Sequence, residues 1–253
     1  MRISVSEWVL GDRPTAIRRA SAAGFGAIEL DAVPGIEIAA LQDQLTAAGL
    51  DVPSLCWAWD SESELGSPDV DSRTRAQTYL RGALEQAHAL GAAQVVVLPA
   101  CRNEPWADEP RLRGMERAAA AIAEVLADAP DGVTIALEGL RRSESFLMNT
   151  LDHSALVRSM IGDDARVGLL ADWYHLVVEE VDPLAAMQAH AEEITLVHLA
   201  ATARGPLLAS STGAAELTAQ LRRMPRVGSY TIEYTVGDDD AALAESLVFA
   251  QSV

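Results

Sequence analysis

The sequence predicts one (β/α)8 barrel, an α/β fold also called a TIM barrel. Eight short apolar segments alternate with eight longer, helix-like segments along the chain, and this alternation is typical of parallel barrels. The length of 253 residues agrees with the usual size of such a barrel, about 250 residues. No Pro-, Ser- or Gly-rich linker divides the chain, so we expect a single domain over residues 1–253.

The predicted strands are brief apolar runs without strict polar alternation. Parallel strands are covered by helices on one side and by the core on the other, so continuous apolar runs are expected. The eight strands are predicted at residues 2–5, 27–30, 52–57, 94–98, 133–137, 167–171, 194–197 and 230–232.

The predicted helices are longer, and the first three are followed by Gly24, Gly49 and Gly91, a residue that commonly ends a helix in the left-handed conformation. The eight helices are predicted at residues 14–23, 36–48, 71–90, 111–127, 152–161, 183–190, 214–223 and 241–251. A doubly wound open sheet is the structural alternative. It would place a Gly-rich turn after the first strand, and the chain has no glycine before Gly11.

Composition argues against several classes of partner and chemistry. The net charge is −18 and all 19 basic residues are Arg, so nucleic acids and anionic membranes are not expected as partners. Without Lys, a Lys Schiff base, a Lys general base and a P-loop are excluded. We see no signal peptide and no apolar run of membrane-spanning length, and we expect Cys56 and Cys101 to be reduced thiols. A cytoplasmic location is therefore expected.

The last four strands each close with a residue that can bind a metal ion. These residues are Glu138, Asp172, His198 and Glu233, separated by 34, 26 and 35 positions, about one strand–helix unit each. A barrel gathers the C-terminal ends of its strands at one face, so the four side chains are expected to reach one ion. Three carboxylates and one imidazole suit Mn²⁺, Mg²⁺ or Co²⁺ better than a structural Zn²⁺. For each residue alone, a helix N-cap or a loop salt bridge is the alternative interpretation.

Local motifs surround these positions within residues 133–236. They are Leu137-Glu138 followed by Glu144, Asp172-Trp-Tyr-His175, His198 followed six residues later by Arg204, and Ile232-Glu233. In order, type and local spacing, this set resembles the metal-dependent sugar isomerase/epimerase family with the xylose isomerase-like TIM barrel, which includes ketose 3-epimerases and relatives that cleave C-glycosides.

The resemblance implies a role for each matching position. The residues implied as metal ligands are Glu138, Asp172, His198 and Glu233. The expected ion is Mn²⁺, with Mg²⁺ or Co²⁺ as alternatives. Glu138 and Glu233 would also act as base and acid on opposite faces of the carbon next to a sugar carbonyl. Glu144, His175 and Arg204 would hold hydroxyl and carbonyl oxygens. The implied activity is isomerisation or epimerisation of an unphosphorylated keto-sugar or polyol.

Each implied substrate contact has a structural alternative. Glu144 would serve equally as a first-turn helix carboxylate, His175 as a core histidine bonded to backbone, and Arg204 as an ordinary loop residue. Trp57 and Trp59 follow the third strand, and they would either form an apolar wall for a sugar face or belong to the core.

The sequence departs from the family pattern in the loops after strands seven and eight. The family commonly has an Asp three residues after the strand-seven histidine; Ala201 stands there, which removes a partner for that histidine or for Arg204. The loop that follows is apolar at Leu207 and Leu208. The three Asp residues 238–240 would repel a phosphate, so a neutral substrate is favoured.

Three other functions remain open. The same proton abstraction would let a lyase expel a β-substituent, as a dehydratase or as a C-glycoside deglycosidase working with a small partner subunit. A DNA-repair endonuclease is disfavoured because strands three and four end at Cys56-Trp57 and Leu98, without the His ligands of those enzymes. A non-catalytic barrel is the fourth hypothesis. The expected partner is a small sugar or glycoside, and a homo-oligomer is compatible with the sequence.

Overall fold

Eight parallel strands close into a barrel in chain order, with β8 hydrogen-bonded to β1. The computed structural model describes residues 2–57, 62–106, 109–162, 164–237 and 239–253. The strands are β1 Arg2–Ser6, β2 Ile28–Ala32, β3 Ser54–Trp57, β4 Gln94–Val97, β5 Thr134–Glu138, β6 Val167–Asp172, β7 Ile194–Leu199 and β8 Ser229–Ile232. The predicted barrel is confirmed, with strand ends that differ by a few residues.

The described parts of the chain contain nine α-helices outside the barrel, one more than predicted. They are α1 Arg13–Ala22, α2 Ile38–Ala48, α3 Val70–Leu90, α4 Arg111–Leu126, α5 Leu151–Ile161, α6 Trp173–Glu179, α7 Pro183–Ala189, α8 Ala214–Leu221 and α9 Asp240–Gln251. Two short 3₁₀ turns follow β1 and β7, at Glu7–Val9 and Thr202–Arg204.

The helix that the sequence did not predict is α6. It has seven residues, too few for a helical period to stand out, and its aromatic and β-branched content (Trp-Tyr-His-Leu-Val-Val-Glu) resembles a strand. It begins directly after β6, with Asp172 as its N-cap. This helix places His175 in its first turn, facing the mouth of the barrel.

Glycine ends two of the long helices as predicted. Gly49 after α2 and Gly91 after α3 have φ values of 69° and 73°, in the left-handed region that a Cβ disfavours. The backbone can therefore reverse at these points and enter β3 and β4. Among the described residues, no helix is both long enough and apolar enough to cross a bilayer.

His190 joins two helices through a pair of carboxylates. It follows α7; its Nδ1 lies 2.7 Å from Glu193 and its Nε2 lies 2.8 Å from Asp152 of α5. Burial by itself lowers the pKa of His190, but the hydrogen bonds to Glu193 and Asp152 outweigh burial and raise the pKa. With both ring nitrogens donating, the imidazolium is the favoured form.

A group whose pKa is higher in the folded state than in the unfolded chain stabilises the fold most at low pH. The contribution of His190 is fully present below its unfolded pKa of about 6.5 and is lost as pH rises through the folded pKa. His190→Gln should therefore lower the melting temperature by about 2 °C at pH 6 and by less at pH 9. Calorimetry in EDTA measures this difference. His88→Gln is the control, since that ring contacts only a backbone carbonyl, of Asp131, in the described structure; equal losses at both pH values would contradict the assignment.

Candidate metal centre

Four buried side chains meet at the C-terminal mouth of the barrel. Glu138, Asp172, His198 and Glu233 each offer one ligand atom, and these atoms all lie within 4.8 Å of one another. Glu138 and Asp172 end β5 and β6, His198 is the penultimate residue of β7, and Glu233 directly follows β8. The structure thus brings together the four residues predicted as ligands.

The donor set fits a divalent cation. Asp172 uses one oxygen as a helix cap, since Oδ1 accepts the Tyr174 N–H at 2.8 Å, while Oδ2 is buried without a hydrogen-bond partner. The Nδ1 of His198 is also buried without one and lies 3.2 Å from Glu233 Oε2. Unpaired buried charges are costly unless a counter-charge or metal satisfies them, so this cluster could hold a divalent metal. Asp172 can therefore be both a helix cap and a metal ligand, because Oδ1 caps α6 and Oδ2 has no hydrogen-bond partner.

Glu29, which the sequence analysis overlooked, orients the histidine of the cluster. It lies on β2 inside the barrel, fully buried, and both of its carboxylate oxygens are 3.2 Å from His198 Nε2. Ser54 donates to Glu29 at 2.6 Å and Thr231 at 3.3 Å. With Nε2 directed at Glu29, Nδ1 is the nitrogen turned to the other ligands. Such carboxylate–histidine pairs fix the tautomer of metal-binding histidines.

The family commonly has an Asp at the position of Ala201, which would be a partner for this histidine or for Arg204. In this chain Glu29 is the carboxylate that contacts His198. The available signal was a charged residue inside an apolar strand, Ile28-Glu29-Leu30. Burial disfavours the imidazolium of His198, but Glu29 and Glu233 outweigh it and raise its pKa well above the ordinary value. The two carboxylates thus hold the ring from both sides.

The three carboxyl groups of the cluster differ in their proton affinity. Burial, then the neighbouring carboxylates, raises the pKa of Glu138 well above its usual range, and burial with Glu233 raises that of Asp172 to about 7. Burial acts in the same direction on Glu233, but His198, Arg204 and the Trp8 N–H outweigh it and lower its pKa. A bound cation would favour the ionised form of all three.

Arg204 reaches the cluster from a strained turn. Its Nη2 donates to Glu233 at 2.8 Å, and its guanidinium lies 3.9 Å from Asp172 and 4.0 Å from Glu144. Ala203 and Arg204 have positive φ values of 62° and 56°, a conformation that costs energy for residues with a Cβ and occurs at functional sites. Hydrogen bonds at both ends of Arg204, to Ala201 and from Thr235, hold the turn.

Aromatic rings hold the Arg204 guanidinium in place. It stacks on Trp8 at 4.8 Å and on Tyr174 at 5.1 Å from the ring centroids. The Trp8 N–H also donates to Glu233 Oε1 at 2.8 Å. Trp8 follows β1 alone, and no neighbouring motif in the sequence marks it as part of a site.

His175 is a neutral hydrogen-bond donor aimed at the cluster. Its Nδ1 accepts the Arg141 N–H at 3.2 Å, so the proton is on Nε2, which has no hydrogen-bond partner. Nε2 lies 3.4 Å from Asp172, 3.8 Å from Glu138 and 3.9 Å from Glu144. Burial, then Arg204, lowers the pKa of His175 to about 4. The bond from the Arg141 backbone agrees with the interpretation of His175 as a core histidine. The Nε2 without a hydrogen-bond partner agrees with its implied role as a substrate contact.

A cavity of about 540 Å³ opens beside the cluster. It is lined by Trp8, Asp31, Cys56, Trp57, Leu98, Glu138, Leu140, Glu144, Arg204 and Glu233. Trp57 lies in this lining and packs on Tyr79 at 4.7 Å, while Trp59 falls outside the described residues. Leu207 is buried in the core instead of lining the cavity. A larger groove between α2 and α3 contains none of the cluster residues.

The contact between Glu29 and His198 leads to a prediction on metal affinity. Glu29→Gln keeps the shape but removes the charge that favours the ligand tautomer, so Mn²⁺ should bind about 10–100-fold more weakly. Titration calorimetry measures the affinity, and thermal unfolding in EDTA checks the fold. Ser54→Ala, which removes a donor to Glu29 but not the histidine contact, should have a smaller effect. Unchanged affinity in Glu29→Gln would remove Glu29 from this role.

Known proteins with this architecture include sugar epimerases. The family model described as xylose isomerase-like TIM barrel matches residues 17–251. An L-ribulose 3-epimerase of Mesorhizobium japonicum is 27% identical over 209 residues, covering 81% of this chain and 69% of that protein. A ketose 3-epimerase of Arthrobacter globiformis is 22% identical over 216 residues, covering 84% and 73%. The crystal structure of an E. coli 3-keto-D-glucoside 4-epimerase covers 100% of both chains with a TM-score of 0.85 at 20% identity. The predicted resemblance is confirmed, and the chain belongs to the xylose isomerase-like TIM barrel family.

Proposed function

We propose that this protein is an epimerase of unphosphorylated keto-sugars that depends on a divalent metal, with Mn²⁺ as the expected ion. The observation that carries the proposal is the convergence of three carboxylates and one imidazole within 4.8 Å, all buried. Homologues named as ketose 3-epimerases support the reaction class. The proposed ligands are Glu138, Asp172, His198 and Glu233.

When bound, a divalent cation supplies Lewis-acid polarisation of a substrate carbonyl. Glu138 and Glu233 are proposed to move the proton on the adjacent carbon. They approach the cluster from β5 and β8, with β6 and β7 between them, so they can face opposite sides of a bound sugar. Inversion of a carbon needs a proton carrier on each face. The surrounding protein groups alone make these two carboxyl groups differ in pKa: that of Glu138 is raised and that of Glu233 is lowered. Such a difference is expected for an acid and base pair.

The proposed substrate contacts are Glu144, His175 and Arg204. His175 offers a neutral N–H donor, and Arg204 offers a fixed positive charge close to Glu233. Negative charge that develops on the substrate oxygen during proton removal would be stabilised by these donors. Glu144 can accept hydrogen bonds from sugar hydroxyls. Trp57 would pack against an apolar face of the sugar.

The cavity favours a neutral substrate. Among the lining residues in the described ranges, only Arg204 is basic, against four carboxylates, so a phosphate would be poorly accommodated. The E. coli neighbour acts on a 3-keto-glucoside according to its name, so keto-glycosides belong beside free ketoses in a substrate panel. Elimination of a β-substituent by the same carboxylates stays the alternative prediction. The sequence feature that favoured elimination is the apolar loop after β7. Its Leu207 is buried in the core and does not line the cavity.

Single carboxyl variants test the two-carrier mechanism. Glu233→Gln and Glu138→Gln, each saturated with Mn²⁺, should lose about 10²–10⁴-fold in epimerisation. In D₂O, each variant should still exchange the reactive C–H of one epimer, the one facing its remaining carboxylate. NMR measures exchange and inversion together, and calorimetry confirms metal loading.

Full epimerisation by either variant would remove that carboxyl from the mechanism. Absence of deuterium incorporation by the wild type, with every free ketose and keto-glycoside, would contradict the proposed function. Loss of a β-substituent without inversion would instead identify the lyase.

A further inference from the structure

We propose that Asp31 selects the far end of the substrate, by binding a terminal group that donates hydrogen bonds and carries no negative charge. Such a group is a hydroxyl or an ammonium. The inference rests on the proposed function, because it takes the metal cluster as the place that holds the carbonyl end. It adds a substrate class to that function: neutral or cationic sugars with a polar terminus.

Asp31 lies across the barrel from the cluster. In a closed barrel of eight strands in chain order, β2 is opposite β6, the strand that ends in Asp172. Glu29, two residues before Asp31, points into the barrel and contacts His198. Because side chains alternate along a strand, Asp31 points to the same side, one layer nearer the mouth. It lines the same cavity as Glu138 and Glu233.

A buried ion pair fixes the backbone of Asp31 on both sides. Its N–H donates to Glu7 Oε2 at 2.8 Å, and its C=O accepts from Arg13 Nη2 at 2.6 Å. Glu7 and Arg13 are paired through two further nitrogen–oxygen contacts of 2.9 Å, with side-chain exposures of only 8% and 14%. The backbone from which the Asp31 side chain projects is therefore fixed before any ligand arrives.

The carboxylate of Asp31, by contrast, has no hydrogen bond to any residue in the described ranges. Burial, then Glu7 and Glu29, raises the pKa of Asp31 to about 7, in agreement with a carboxylate to which no described residue donates. A donor from a ligand would supply the missing contact. A carboxylate or phosphate on the ligand would face a like charge and be rejected.

The neighbourhood leaves Asp31 as the main polar contact for a distal group. The lining on the β1–β4 side is otherwise apolar or weakly polar: Trp8, Cys56, Trp57 and Leu98. The thiol of Cys56 is buried, and burial is the main cause of its raised pKa. The thiol therefore stays protonated and is a weak hydrogen-bond acceptor. Among the lining residues that the structure describes on this side, Asp31 is thus the acceptor that the terminal hydroxyl of a sugar seated against the tryptophans would meet.

Three ligands that differ only at the terminus test the proposal. They are a ketohexose, its 6-deoxy analogue and the corresponding ketohexuronate, each titrated calorimetrically into Mn²⁺-loaded protein at pH 8. Wild type should bind the ketohexose about tenfold or more tighter than the 6-deoxy sugar and should bind the uronate weakest. In Asp31→Leu the preference for the terminal hydroxyl should fall below about threefold. Asp31→Asn, which keeps an acceptor oxygen, should retain part of that preference and bind the uronate at least about tenfold better than wild type.

Asp51→Asn is the matched control, since that exposed carboxylate lies before β3 at the opposite end of the barrel; it should leave all three affinities unchanged. Circular dichroism checks that each variant folds. Equal affinity of wild type for the hydroxyl and deoxy sugars, or an unchanged preference in both Asp31 variants, would overturn the role of Asp31 even if epimerisation is observed. The expected binding order without epimerisation would support Asp31 and count against the proposed reaction. Failure of all three sugars to bind would overturn both.

Discussion

The contact between His198 and Glu29 crosses the interior of the barrel and determines how the cluster is built. It joins β7 to β2, with Ser54 of β3 and Thr231 of β8 also bonded to the same carboxylate. Four strands therefore share one buried polar centre below the mouth. Because the ring of His198 is held at Nε2, its Nδ1 must face the three carboxylates above. The metal chemistry proposed for the mouth thus depends on polar packing one layer deeper.

Barrel closure supplies the rest of the convergence. Residues 26 or more positions apart in sequence become neighbours because the strands are in register; Asp172 of β6 pairs directly with His198 of β7. The mouth then divides into two halves. The β5–β8 half carries the proposed ligands, the proposed proton carriers and Arg204, whereas the described cavity lining on the β1–β4 half is aromatic and aliphatic apart from Cys56 and the carboxylate of Asp31. This division suits a sugar that reacts at one end, beside the β5–β8 half, and is recognised at its other end by Asp31.

The parts of the molecule that the sequence could predict are those encoded by local pattern. Each of the four ligand positions closes a short apolar run, and a barrel brings such ends together, so Glu138 and Glu233 could be found without coordinates. Glu29 and Asp31 are different, because which side of β2 faces inward follows from packing and not from a local motif. Trp8 acquires its role only through contact with Glu233, 225 positions away in sequence. The α6 helix escaped prediction because seven residues are stabilised by their cap and by packing instead of by helical periodicity.

The division of labour within Asp172 has a consequence for how this mouth can vary. One oxygen caps the helix that carries His175 and Tyr174, and the other belongs to the cluster. The start of α6 and the metal-binding cluster are thus only one carboxyl group apart. A Glu at this position would add a methylene and force one of the two distances to change. The length of the aspartate side chain therefore sets how far the donors at the start of α6 lie from the proposed metal site.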